Sequence, residues 1–200
     1  MLAGVSHDLR TILTRFRLQL ALLGDSSDID ALKKDVDDMN RMLEGYLAFA
    51  RGDSGETAVA TDIDVMLREI DKEIRVSGHK AHVTFTGDPI VTLRPQGFKR
   101  CLVNLVHNAC RHGDTIAVAG RHEDGHLTIT VEDDGPGVPP DEYEAVFKPF
   151  YRLDAARNLD ESGTGLGLSI ARDIAHSHGG EIVLDESPLG GLKATVTVPA

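Results

Sequence analysis

Apolar residues recur through the first fifty positions in steps of three and four. Leu2, Val5, Leu9, Ile12, Phe16, Leu20 and Leu23 form one series, and Ile29, Leu32, Val36, Met39, Leu43, Tyr46 and Ala50 form a second. Such spacing keeps a stripe on one side of a helix, and over several turns it is the seam of a bundle. Between the series stands Gly24-Asp25-Ser26-Ser27-Asp28, a helix stop followed by N-cap residues. The pattern predicts a helical hairpin. Two helices cannot close a core alone, whereas two hairpins can do so as a four-helix bundle, so a homodimer is the expected completion. A hairpin packed on the rest of the chain is the arrangement left open.

The pattern changes after Arg51-Gly52-Asp53-Ser54-Gly55-Glu56-Thr57, a small, polar, glycine-bearing stretch that reads as a linker. Helical periodicity then covers Ile63–Ser77, Pro95–His112 and Gly165–His178. Strand-like runs occupy Ala81–Thr86, Ile90–Leu93, Thr115–Gly120, Leu127–Asp133, Glu181–Leu184 and Lys193–Val198, several of them alternating with period two. This order suggests an α+β chain whose second part is a sheet with helices on one face. The expected organisation is a hairpin over 1–52, a linker over 53–60 and a mixed domain over 61–200.

Composition narrows the function. The chain has 200 residues, 32 acidic against 21 basic, for a net charge of -11. Residues 53–200 hold most of the excess, with 24 acidic and 14 basic side chains against 8 and 7 in residues 1–52. A general nucleic-acid binder needs the opposite sign to displace counterions from phosphates. No apolar run approaches the roughly 20 residues of a membrane helix, and the N-terminus lacks a signal-peptide layout. Cys101 and Cys110 lie nine residues apart on one predicted helix, hence on nearly opposite faces where they cannot bridge. A reducing compartment is expected.

His7 lies off the first seam, pointing to solvent, with Asp8 beside it and Thr11 one turn on. A neutral imidazole is a competent nucleophile near pH 7, and an adjacent carboxylate can orient or accept its proton. A hydroxyl at Thr11 could hold a water near a phosphoryl acceptor. A solvated histidine beside a carboxylate is by itself an ordinary surface feature. Three further motifs stand in the second part. Asn104-Leu105-Val106-His107-Asn108-Ala109 places two amides on one helix face, where their oxygens could ligate a hard cation. Asp133-Asp134-Gly135-Pro136-Gly137 follows a strand; an aspartate there can accept from an exocyclic amine, and the glycines admit close backbone approach. Gly163-Thr164-Gly165-Leu166-Gly167-Leu168 opens a helix, where backbone amides favour phosphate oxygens. Its glycine spacing fits neither a Rossmann fingerprint nor a Walker loop. Exposed amides and an Asp-Gly turn are the plain structural alternatives for the first two.

Together, in this order, the motifs resemble the catalytic core of sensor histidine kinases of two-component signalling, with a HisKA phosphoacceptor part followed by a GHKL (Bergerat) ATP-binding domain. Ser6-His7-Asp8-Leu9-Arg10-Thr11 is similar to the H box, Asn104–Ala109 with Arg111 and His112 to the N box, and Asp133–Val138 to the G1 box. Phe147-Lys148-Pro149-Phe150-Tyr151-Arg152 is similar to the F box, and Gly163–Leu168 to the G2 box. The stretch from Ser6 to Leu18 resembles osmosensor-type kinases that serve winged-helix response regulators.

The resemblance implies roles. His7 would accept the γ-phosphoryl of ATP, with Asp8 orienting the ring or acting as base. Asn108 would ligate Mg²⁺ with support from Asn104, and Asp133 would recognise adenine in the turn shaped by Gly135 and Gly137. Arg111, His112 and Arg152 would approach the phosphates, and Gly163, Thr164, Gly165, Leu166, Gly167 and Leu168 would shape the loop around them. Residues Arg152–Ser162 would form a lid. His7–Thr11 also resembles the family motif for dephosphorylating the partner's phospho-aspartate. The implied partners are a second copy of the chain and a response-regulator receiver domain. The implied setting is cytoplasmic, with membrane attachment only through sensor and anchor segments expected upstream of the six residues before His7, so that the chain reads as part of a longer protein. One departure is Ile12, where these kinases usually carry proline. It keeps open a phosphatase-biased phosphotransfer scaffold with weak kinase activity. A GHKL ATPase using hydrolysis for conformational work is a third reading, one that has no use for a histidine-bearing hairpin.

Overall fold

The computed structural model describes residues 12–16, 18–22, 29–30, 32–33, 36, 39, 55–153 and 165–200. Every described residue between 12 and 39 is helical, in agreement with the two predicted helices. Ile12 and Phe16 of the predicted seam are 40% and 48% exposed, whereas Leu13, one position off it, is 7% exposed. A single chain thus covers one flank of the apolar stripe and leaves the seam itself half bare.

From residue 59 onward the elements are β1 (Val59–Asp62), α1 (Ile63–Val76), β2 (Lys80–Gly87), β3 (Ile90–Leu93), α2 (Pro95–His112), β4 (Thr115–Glu123), β5 (His126–Asp133), α3 (Gly167–Ser177), β6 (Glu181–Glu186) and β7 (Leu192–Pro199). Two short 3₁₀ turns, Pro140–Glu142 and Ala145–Phe147, lie between β5 and α3. Five strands form one sheet in the order β2-β4-β5-β7-β6, and β1 pairs with β3 in a separate two-stranded sheet. Only β2 and β4 run parallel; every other pairing is antiparallel.

The period of two along the sheet sends Ile116 and Val118, Leu127, Ile129 and Val131, Ile182 and Leu184, and Ala194, Val196 and Val198 to one buried face. The helices cover that face. Ile63, Met66, Leu67, Ile70 and Ile74 of α1 follow helical steps into the core, as do Phe98, Cys101, Leu102, Leu105, Val106 and Ala109 of α2. The result is the expected two-layer α/β arrangement. Asp62 caps α1 by accepting from the Val65 N–H at 3.0 Å. Cys101 is buried and donates its thiol to the Ala171 carbonyl at 3.4 Å, Cys110 is half-buried, and the two form no disulfide, as their opposite placement on α2 requires.

Most strands and helices end within one to three residues of the sequence expectation, and two differences bear on the architecture. Val59 and Ala60, assigned to the linker, belong to β1, which lacks an apolar alternation and exists through its pairing with β3. Helix α3 begins at Gly167 and not at Gly165, because Gly165 has φ +66°, on the left-handed side where a right-handed helix cannot start.

Candidate functional site

Leu127, Ile129, Val131 and Asp133 share the buried face of β5, so the strand's own period carries a carboxylate to the end of the core, where it is 3% exposed. Oδ1 of Asp133 accepts from the Gly135 N–H at 2.9 Å and the Leu192 N–H at 3.2 Å, and its carbonyl accepts from the Gly191 N–H at 3.1 Å. Burial pushes its pKa up, with the Leu192 and Gly135 amides and the charge of His112 opposing the shift. The space around it admits no side chains. A Cβ at Gly191 would sit 2.1 Å from Asp133 Oδ1, and one at Gly135 would sit 2.4 Å from the His112 carbonyl oxygen.

Asp134 is exposed and does different work. Its Oδ1 accepts from the Asp114 and Thr115 N–H groups at 2.7 and 2.9 Å, tying the start of β4 to the end of β5. Those bonds, chiefly to Thr115, hold its pKa down.

Helix α2 is the spine of the site. Asn104, Asn108 and Arg111 follow steps of four and three, and all are half-buried, while His112 is exposed. The Gly135 turn packs on the His112 end. At the other end a Cβ on Gly167 would lie 3.8 Å from the Asn104 carbonyl oxygen, so α3 starts beside Asn104. From Asn104 to His112 is about 12 Å of helix at 1.5 Å per residue. Among the described residues Asn104 Nδ2 is buried and has no hydrogen-bond partner, so this amide can still donate to a ligand's acceptor. The two amide oxygens suit a hard cation that completes its shell with phosphate oxygens. Among the described residues no group of three or more His, Cys, Asp or Glu side chains makes a metal site by itself, so such a cation would need those phosphate ligands.

The Gly165 carbonyl accepts from the Phe150 N–H at 2.9 Å, and a Cβ on Gly165 would sit 2.9 Å from the Phe150 backbone. Phe150 itself has φ +65°, a strained setting for an aromatic residue. The chain before and after 151–164 is therefore pinned at one point. The segment leading to it is clamped to α3. The Arg172 guanidinium lies 4.5 Å from the centre of the buried Phe147 ring and pairs with Glu144 at 2.9 Å. Tyr151 donates to Glu142 at 2.7 Å, a bond that raises the pKa of the phenol.

Asn104, Asn108, Arg111, His112, Asp133, Gly135, Gly165, Leu166, Gly167 and Leu168 thus border one stretch of α2 or the loop beside it. Gly137 is half-buried at φ +71°, next to Gly191, and Arg152 is exposed. His7, Asp8, Thr11, Gly163 and Thr164 lie outside the described residues, as does the expected lid apart from Arg152 and Leu153. Sequence reasoning missed Gly191, Leu192 and Arg172. Gly190-Gly191 before a strand was the one available signal for the first two; for Arg172 there was none. A polar recess of about 400 Å³ opens behind the C-terminal end of α2, lined by His79, Cys110, Arg111, His112, Gly113, Asp114 and Asp134. It shares only Arg111 and His112 with the residues above, so it is a neighbour of the site and not the site.

The family described as histidine kinase-, DNA gyrase B- and HSP90-like ATPase matches residues 94–200, which hold this whole arrangement. The chain belongs to that family. The His Kinase A phospho-acceptor domain matches residues 1–55, which include His7, and sets the chain among the histidine kinases of the family. Sensor histidine kinase CpxA of Escherichia coli is 34% identical over 211 aligned positions, covering all of this chain and 46% of CpxA. Sensor histidine kinase GtrS of Pseudomonas aeruginosa is 34% identical over 200 positions, covering all of this chain and 41% of GtrS. The chain spans less than half the length of these relatives. Among solved structures, full-length ShkA in complex with AMPPNP superposes with a TM-score of 0.79 over 99% of this chain and 45% of ShkA, and at 23% identity it supports the fold alone. The mycobacterial sensor histidine kinase MprB gives 0.58 at 27% identity over 72% of this chain and 97% of that structure's chain.

Proposed function

We propose that the chain uses ATP to phosphorylate its own His7 and passes the phosphoryl group to an aspartate on a response-regulator receiver domain, which it also dephosphorylates. The observation that carries this reading is the pairing, in one chain, of a phospho-acceptor match that includes His7 with an ATPase-family match whose residues converge along α2. That pairing disfavours an ATPase doing conformational work, which needs no phosphoacceptor. The division into a hairpin (1–52), a linker that the start of β1 at Val59 shortens from the expected 53–60, and an ATP domain after it would assign one task to each part.

Asp133 would receive the exocyclic amine of adenine at the His112 end of α2, and the Gly165–Gly167 amides would meet phosphate oxygens at the Asn104 end. Asn108, supported by Asn104, would hold Mg²⁺, which neutralises charge on the phosphate oxygens when bound. Arg111, His112 and Arg152 would add positive charge around the chain of phosphates. A ring nitrogen of His7 attacks the γ-phosphorus as the bond to the β–γ bridging oxygen breaks, while Asp8 orients the imidazole and takes its proton. In the reverse service, Thr11 would place a water against the partner's phospho-aspartate.

The half-bare seam at Ile12 and Phe16 supports a homodimer closed by a second copy. The proposed use of ATP favours the cytoplasm as the setting. The likeness of Ser6–Leu18 to osmosensor-type kinases favours a winged-helix regulator as partner. Asn108→Ala tests the site directly. Self-labelling from γ-labelled ATP should be lost while the thermal melt stays within a degree or so of the parent, because the residue is a ligand and not core. Near-normal labelling would remove Asn108 from the metal role.

A further inference from the structure

Helix α2 has no cap of its own. Arg94 stands at the N-cap without a side-chain cap bond, Pro95 follows, and the first turn holds no acidic residue. The first amides of a helix need acceptors, and the helix dipole puts partial positive charge there. Glu56 answers both needs from a distance. Its Oε1 accepts from the Gln96 N–H at 2.7 Å and its Oε2 from the Gly97 N–H at 2.9 Å. Glu56 stands between the stretches matched by the two families, three residues before β1. Strand β1 pairs with β3 so that Val59 faces Leu93, the residue before Arg94. Arg94 reaches α3 in turn, donating to Ser177 Oγ at 2.9 Å and to the Ser177 carbonyl. Both helices that carry the site, α2 with its asparagines and α3 with the glycine loop at its start, are fastened together where the chain arrives from the hairpin.

We infer that Glu56 is a positioning residue for transfer to His7: its two-pronged grip fixes the chain leaving the phosphoacceptor hairpin to the helix that carries Asn104 and Asn108. The inference rests on the kinase reading. The grip sits about 12 Å of helix from Asn104 and further from Asp133, so it acts on how the γ-phosphate is presented to the imidazole and not on nucleotide binding.

The test uses the whole 200-residue chain carrying Glu56→Ala. The maximal rate of self-phosphorylation should fall by about fivefold or more, while the dissociation constant for AMPPNP stays within about twofold, the pattern of lost positioning. Small-angle scattering should show a larger radius of gyration. Glu56→Gln keeps one carbonyl acceptor and should fall between the two. An unchanged rate with superposable scattering curves overturns the inference. So does a parallel loss of rate and affinity, which a cap serving only helix stability would give. If the parent chain takes no label, the kinase reading fails on its own, and scattering then decides the grip: expansion in Glu56→Ala supports it and superposition overturns it.

Discussion

Asp133 and Asp134 are adjacent carboxylates with opposite settings. Burial raises the pKa of Asp133, so the fold favours its protonated form; the stability this lends is full at acid pH and is lost as pH rises through the raised value. Asp134 is held down by the Thr115 and Asp114 bonds, so its contribution is present at neutral pH and lost as pH falls through the lowered value. Asp133→Asn should therefore melt no lower than the parent at neutral pH, since its amide oxygen can take the same two N–H donors, yet bind nucleotide at least about tenfold more weakly if the carboxyl group is the acceptor proposed for adenine. Asp134→Asn should melt lower at neutral pH, and thermal melts taken to increasingly acid pH should show the deficit shrinking once pH falls below the ordinary carboxylate range. Gly191→Ala is the steric counterpart. With a Cβ 2.1 Å from Asp133 Oδ1, the strand must shift or the carboxylate must leave. A loss of about 1–3 kcal/mol in unfolding free energy, with weaker nucleotide binding, is expected from that crowding. A melt and an affinity equal to the parent's would show that the turn relaxes freely.

At the scale of elements, the first helix and the Phe147–α3 clamp carry the predictions. Ile12 lies in a helix, where proline would remove a backbone hydrogen bond and press on the preceding turn. Ile12→Pro should lower bundle stability by roughly 1–3 kcal/mol and, if the two proposed activities present His7 differently, change the ratio of kinase to phosphatase activity. An identical melt and ratio would contradict this. Arg172→Ala removes the cation over Phe147 and the Glu144 pair, and should cost about 1 kcal/mol in a denaturant titration, most of it from the ring contact because the ion pair is exposed. The helices and sheet strands were legible because each shows its period in sequence: α2 begins and ends at the predicted Pro95 and His112, and β3 at Ile90 and Leu93. Strand β1 was not, since Val59-Ala60-Thr61-Asp62 has no pattern and takes its form from β3. The site was legible as motifs, but its assembly was not. That Asp133 faces the core while Asp134 faces out depends on β5 register, and that Gly191 and Leu192 hold Asp133 depends on the return of a strand 59 residues later.

For the molecule as a whole, the proposed function divides a reaction between the two halves of the chain: α2 and the loops beside it would hold the nucleotide, and His7 would receive its phosphoryl group. Thr11→Ala separates the activities. A hydroxyl that places water but takes no phosphoryl group should leave self-labelling intact and slow removal of phosphate from the regulator; equal loss of both would assign Thr11 to helix integrity. The central claim is tested most directly by incubating the whole chain with γ-labelled ATP and following the label on the protein. Phosphohistidine predicts label that survives base and is lost in acid, and that is absent from His7→Ala. Free phosphate without labelled protein, or label that persists in His7→Ala, would contradict it.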